Sequence, residues 1–388
     1  MSRPNFVNLH VLISHSPSCL NRDDMGQQKT AIFGGKTRVR ISSQSLKRAF
    51  RFSDTYRQAF SRSTRTRRLL DQLVADLDPD SGIDAAAFEQ CALYVAAIFE
   101  GKTKEAEIQR YARAKSGHIE TQIIPFSSHE IEAIGGLLRE AAALATEKAR
   151  ITHLKQAVKE LEQRLRHQLD LDVALSGRMA NSELVHGVDG ALAVAHALTT
   201  HTVEPQDIDW FTAVDDLTQD AGESGAGHLN VQQFSAGVFY RYASLNLRQL
   251  QYNLGLLDTI DAPETAEGRA RALAIAAHVL QLMTTVVPEA KQQSFAAHNI
   301  ADCALVSLAD QPISLANAFE TPVAKDREGG YLRPSKKAML DYWRRLNSAY
   351  GLNETARVFS LDDATAETPP HLDTLPALQT WLREDGHS

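Results

Sequence analysis

The sequence predicts an α+β fold carrying a helical subdomain, and three observations carry that prediction. Apolar residues alternate with period two at 6–15, 36–42 and 237–247, the mark of strands with unlike faces. Residues 84–170 instead read as a run of helices. The two kinds of segment are interleaved, with insertions between them. The 388 residues are 43% hydrophobic and 23% charged, which excludes a disordered or fibrous chain and allows two or three domains.

In order, Val7, Leu9, Val11 and Ile13 share one face of the first strand and Asn8, His10, Leu12 and Ser14 the other. Residues 16–35 are rich in turn formers and read as a long loop, which at this length is functional or mobile. The next strand sets Arg38, Arg40 and Ser42 against Thr37, Val39 and Ile41. Ser43 then reads as the N-cap of a helix over about 44–53. On that helix Gln44, Lys47, Arg48 and Arg51 fall within about a third of the circumference, opposite Leu46, Ala49 and Phe50.

Helices are expected at Ala85–Glu100, His129–Lys148 and Ile151–Gln168, resuming at about 189–199. Residues 200–234 lose periodicity and read as an extended excursion. Gly237–Leu247 places Val238, Tyr240 and Tyr242 on one strand face. Helices follow at about 263–285 and 334–349, with a strand at Cys303–Leu308. The greasiest stretch, Ala270–Val287, carries Arg271, His278 and Gln281 and reads as a buried helix rather than a membrane span.

The net charge of −7 conceals a segregation. Residues 25–70 hold twelve Lys and Arg against the single acid Asp54, a local +11 that leaves −18 beyond residue 70. A basic surface for a polyanion on an acidic body follows. Two details separate the helical stripe from an ordinary solvated face. It lacks the i,i+4 acids that usually pair such cations, and Gln44 with Ser42 adds neutral donors suited to phosphate oxygens. Aromatics are only 7% of the chain, and Phe50 is more simply core, so a sequence-independent grip on a backbone outranks base stacking.

Other chemistries fare worse. Gly35-Lys36-Thr37 ends like a phosphate-binding loop, but position 30 is Thr where Gly is required, and a strand follows instead of a helix. Ser14, His15, Ser16 and Asp23 or Asp24 offer nucleophile, base and carboxylate types without any fixed geometry, and turn formation explains them more simply. Asp23 and Asp24 could also hold a metal for phosphodiester cleavage, which keeps a metal-dependent ribonuclease as the enzymatic alternative. No motif offers a metabolic enzyme's small-molecule pocket. Cys19, Cys91 and Cys303 form no CxxC, and no signal peptide precedes the first strand, so a reducing cytoplasm is expected.

Longer strings point to a family. Asn8–Met25 and Ala31–Ala49, with Ala174-Leu-Ser-Gly-Arg-Met-Ala, Val188-Asp-Gly-Ala, Asp209-Trp-Phe-Thr-Ala-Val-Asp-Asp-Leu, Ser235-Ala-Gly-Val-Phe-Tyr-Arg-Tyr, Ala290-Lys-Gln-Gln and Leu315-Ala-Asn-Ala-Phe-Glu, resemble the backbone (CasC-type) subunit of the type I-E CRISPR surveillance complex Cascade. The resemblance spans most of the chain and is weakest over about 54–170 and after 355.

It implies a right-hand-like protein with an RRM-like (ferredoxin-like) palm, a helical fingers insertion and an extended β-hairpin thumb. The palm would comprise 1–53, 171–199 and, with C-terminal helices, 235–388; the fingers 54–170; the thumb 200–234. By position, Lys29, Ser42, Gln44, Lys47 and Arg51 match RNA-backbone contacts, joined by Arg22 and Arg48. Met179 would lie against the guide, Phe211 and Thr212 in the thumb, and Lys155 and Lys159 on a finger helix meeting DNA. A lone Met without that context reads as core filling. The partners implied are CRISPR RNA, target DNA reached through the guide, further copies in a homo-oligomeric filament and other Cascade subunits. No catalytic group, cofactor, metal or membrane is implied. The arginines at 57–68 are left without a role.

Overall fold

The computed structural model describes residues 3–114, 118–165, 169–180, 185–211, 229–362 and 369–387. The chain forms two compact units, one of Met1–Gln58, Ala193–Leu245 and Leu273–Ser388, the other of Ala59–Leu192 and Asn246–Ala272. Along the chain the strands are β1 (Phe6–Ser18), β2 (Thr30–Phe33), β3 (Lys36–Ile41), the short β4 (Thr64–Thr66) and β5 (Ile124–Phe126), β6 (Leu192–Val194) and β7 (Ala197–Thr199). They continue as β8 (Gln206–Phe211), β9 (Leu229–Asn246), β10 (Cys303–Ala309), β11 (Thr355–Ser360) and β12 (His371–Leu372). Helix α1 (Ser43–Phe52) follows β3.

The first unit is built on a sheet of order β12-β11-β10-β1-β9-β7-β3-β2. Within it, β1, α1, β7, β9, the helical segment 273–285 and β10 make a strand-helix-strand-strand-helix-strand succession with central order β10-β1-β9-β7. Strand β1 pairs antiparallel with β10 from Phe6↔Ala309 to Leu12↔Cys303. Both of its faces are buried, so the polar set Asn8 and His10 sits inside with Leu12. Tyr242 Oη donates to Asn8 Oδ1 at 3.0 Å, and His10 Nδ1 lies 2.8 Å from Tyr240 Oη. The same Tyr240 oxygen accepts the Leu315 N–H at 2.9 Å. Tyr240 and Tyr242 pack with Leu305, Phe319, Met339 and Trp343 into one apolar cluster.

The alternation at 237–247 is thus part of β9, and the helices near 263–285 and 334–349 appear at Ala266–Thr285 and Leu332–Tyr350. Two expectations are corrected. Residues 30–33 of the expected long loop pair with β3 as a hairpin, from Thr30↔Val39 to Phe33↔Lys36. The helix expected at about 189–199 is instead β6 and β7, because Leu198 and Thr199 pair with Tyr240 and Phe239. The alanine-rich stretch favours helix locally, and strand pairing overrides so weak a preference.

The second unit packs helices that include Ala85–Phe99, Ser128–Ala142 and Glu147–Leu165 around Phe88, Tyr94, Phe126, Leu138 and Leu154. Strands β4 and β5 form a separate two-stranded sheet. Glu130 closes a capping box with Ser127 and pairs with Arg178 at 2.8 Å, both side chains almost fully buried. Among the described residues, no helix is long and apolar enough to cross a membrane.

Arg241 is fully buried in the first unit, and among the described residues no carboxylate pairs with it. It donates to the carbonyls of Met283 and Val286, at 3.1 and 2.8 Å, where a helix C-terminus carries partial negative charge. It also donates to His15 Nε2 at 3.2 Å, which requires that nitrogen to be unprotonated. Burial lowers the pKa of His15, and likewise of His10, to about 3. Both folded values lie below the ordinary 6.5, so the unfolded chain takes up these protons first as pH falls. Stability present above pH 6.5 is lost on descent toward about 3, at about 1.4 kcal/mol per pH unit for each histidine. Urea unfolding across pH 5–6 is therefore expected to show a steep slope that His15→Gln reduces by about one such increment. An unchanged slope in the variant refutes neutral burial of His15.

Candidate nucleic-acid interface

The basic surface of the first unit is assembled from the β2–β3 hairpin outward. Its turn, Gly34-Gly35, holds φ of +59° and +69°, a region that glycine enters at little cost. A Cβ on Gly34 would collide with the carbonyl of Glu320, whereas one on Gly35 would meet nothing within 4 Å. Two residues into β3, Arg38 turns inward and is fully buried. It donates to the carbonyls of Thr199 at 3.0 Å, Phe319 at 2.9 Å and Glu320 at 3.2 Å. Alternation places Arg38 and Arg40 on one face, but only Arg40 is accessible.

Strand β3 runs into α1, whose N-cap is Ser42 rather than Ser43. Ser42 Oγ accepts the Ser45 N–H at 3.2 Å, and Ser42 N–H donates to Asn21 Oδ1 at 2.8 Å. Asn21 O accepts the Lys29 N–H, and Lys29 O accepts the Arg40 N–H, so one asparagine fastens the preceding loop to the helix start. Leu46 and Phe50 are buried, while Gln44 and Arg48 are exposed and Lys47 is half-buried. The first turn of α1 holds no acid. The Arg48 guanidinium stacks 4.4 Å from the Phe52 ring centroid, which limits its freedom.

Arg51 departs from the expected stripe. It is only 8% exposed, because a helical wheel carries no axial coordinate. Arg51 sits one residue before α1 ends, where the chain turns through Ser53 into the helix Asp54–Ala59.

The loop before β2 is compact. Asp23 Oδ1 accepts the N–H groups of Met25 and Gln27 at 3.0 and 2.9 Å, a turn-forming use of the carboxylate. Arg22, Asp24 and Met25 are exposed. Gln28 N–H donates to Gln233 Oε1 on β9 at 3.2 Å. Among the described residues, no group of three or more His, Cys, Asp or Glu is placed to hold a metal ion.

Three groups that the pattern did not single out stand on this surface. Burial pushes the Cys19 thiol up, and Arg22 and Lys291 act on it in the opposite direction. Lys291 has φ +57°, a conformation that costs a non-glycine residue of order 1 kcal/mol. Arg40 and His196 meet at 3.2 Å, and His196 Nδ1 also accepts the Ser43 N–H at 3.2 Å. Burial, then Arg40 and Lys29, lower the His196 pKa. Lys291 lies in a loop without periodicity, where only the string Ala290-Lys-Gln-Gln points to it; His196 precedes a strand whose sequence reads as helix, and no pattern points to it.

In the second unit, Met179 is 97% exposed, not core. With Arg65, Ile123, Pro125 and Asp189 it lines a cleft of about 470 Å³. Behind it Gly177 and Gly190 approach so closely that a Cβ on either would lie within 3 Å of the other's backbone. Lys155 and Lys159 are exposed on successive turns of Glu147–Leu165. Of the unassigned arginines, Arg57 pairs with Asp54 at 2.6 Å, and Arg67 and Arg68 pair with Glu120 at 3.8 and 3.2 Å. Residue 211 ends β8 opposite Leu229, and Thr212 lies outside the described residues.

The sequence pattern of the CT1975-like protein family matches residues 7–382. No curated protein matches. Among solved structures, a chain of a "CRISPR RNA-guided surveillance complex, pre-nicking" is 28% identical, with a TM-score of 0.76 over 98% of this chain and 100% of that one. A chain of a "CRISPR RNA-guided surveillance complex" is 23% identical, with a TM-score of 0.56 over 98% of each.

The hairpin geometry carries its own test. Gly35→Ala is expected to cost about 1–2 kcal/mol, the left-handed penalty alone. Gly34→Ala must also displace the Glu320 carbonyl and cost clearly more, read from urea midpoints of the two variants. Equal losses would show that the turn does not rest on Glu320.

Proposed function

The chain belongs to the CT1975-like family of CRISPR-associated proteins, and we propose that it is the backbone subunit of a CRISPR surveillance complex, gripping the guide RNA by its phosphates. The observation that carries this reading is the start of α1. Gln44, Lys47 and Arg48 project from a helix whose first turn has no acid and whose cap is fixed by Ser42 and Asn21. Lys29, Arg40 and Arg22 extend the same cationic surface of the first unit.

Phosphate contacts fix a strand's register without reading its sequence. One protein can then hold any guide, while base pairing supplies specificity for target DNA. The strand-helix-strand-strand-helix-strand succession and its central order support an RRM-like palm, and the β8–β9 hairpin supports a thumb. Copies arranged head to tail along the RNA form an open filament, which a heterologous contact permits. Met179, standing free at its cleft, is the side chain of the second unit assigned to the guide, and Lys155 with Lys159 to DNA. In this reading the chain is not an enzyme. The two N–H bonds that Asp23 accepts support a loop-forming role for that carboxylate.

Lys47→Ala and Lys29→Ala are each expected to weaken binding of single-stranded RNA irrespective of its sequence. Each should lower the slope of log K against log salt by about 0.7. Unchanged affinity and slope in both variants would overturn the phosphate-grip reading. Regular cleavage of complementary RNA in Mg²⁺, lost on Asp23→Ala or Asp24→Ala, would replace it with the ribonuclease.

A further inference from the structure

Among the described residues, the Arg40 guanidinium makes no ion pair, and its one hydrogen-bond partner is an imidazole. Nη1 donates to His196 Nδ1 at 3.2 Å. The same nitrogen accepts the N–H of Ser43, the first residue of α1, at 3.2 Å. Two donors on one ring nitrogen require its lone pair, so the proton of the neutral ring resides on Nε2. The ring is thereby seated on main chain that the Ser42 cap already fixes. Arg40 inherits that precision, at the cost of the rotamer freedom that an unheld arginine side chain keeps.

The identity of the acceptor matters. An Asp or Glu at 196 would hold Arg40 more tightly and cancel its charge. A neutral imidazole holds the guanidinium and leaves its charge intact. The charged groups acting on the ring are Arg40 and Lys29, both cations, and together with burial they oppose a proton on His196.

We propose that His196 is a positioning residue of the guide-holding surface: it aims Arg40 at an RNA phosphate without neutralising it. The inference rests on the phosphate-grip reading and adds to it a residue outside the basic helix, together with the reason that residue is uncharged.

The test uses the full chain and a fluorescein-labelled single-stranded oligoribonucleotide, with affinity measured by anisotropy across a salt series. His196→Ala is expected to weaken binding about 3- to 10-fold. His196→Asn, whose Oδ1 can accept in place of Nδ1, should recover most of that loss. His196→Asp should bind worse than His196→Asn and lower the salt slope by about 0.7, as loss of one phosphate contact does. His196→Ala combined with Arg40→Ala should be no weaker than Arg40→Ala alone. Additive losses in the double variant, or His196→Asp binding as well as His196→Asn, would overturn the proposal. Lys47→Ala separates the two levels. If it weakens binding while His196→Ala does not, only the role of His196 falls; if neither does, the phosphate grip falls and this inference with it.

Discussion

The first unit depends on a charge that never reaches solvent. Arg38 is buried, among the described residues no carboxylate pairs with it, and its guanidinium is held by the carbonyls of Thr199, Phe319 and Glu320. Burial lowers its pKa, and three bonds from Nη1 and Nη2 to carbonyl oxygens hold the cation in place while Nε has no partner among the described residues. The contact joins β3, the end of β7 and the turn at 316–320. Gly34 touches the same Glu320 carbonyl from the hairpin turn, so β2 and β3 are fixed relative to that turn twice over. Everything downstream follows from β3: the Ser42 cap, the direction of α1 and the place where its cations emerge. One arginine immobilised inside determines where the others stand outside.

A charge count cannot make that distinction. The tally of twelve basic residues in 25–70 includes Arg38 and Arg51, which are buried, and Arg57, Arg67 and Arg68, which face acids. Exposed pairs such as these contribute about 0–1 kcal/mol and dilute the local field. The segregation correctly marks the region and overstates its strength. Burial at 38 and 51 depends on residues about 160 and 280 positions away and on a chain reversal, and neither leaves a periodic trace.

What was legible follows the same logic. The first strand, α1 and the helix Ala85–Phe99 repeat a local pattern, so their positions agree within a few residues, whereas the break expected between Lys148 and Ile151 falls earlier, between Ala142 and Glu147. The two-faced reading of β1 misses that its polar face is also interior, because His10 and Asn8 are satisfied by Tyr240 and Tyr242, 230 and 234 residues on. β6 and β7 were read as helix because alanine reports its own preference and not its neighbours' hydrogen bonds. Lys29 and Lys47 could be selected from residue type and resemblance. Arg40 with His196 could not, since their pairing exists only once β3, β7 and the start of α1 are side by side.

The loop between Asn21 and Gln28 has a further meaning in mechanical terms. At one end Asn21 holds Ser42 and Lys29; at the other, Gln28 holds Gln233 near the root of the β8–β9 hairpin. Asp23 stiffens the span between them. The root of the hairpin and the start of α1 are then set by one short span of chain rather than independently.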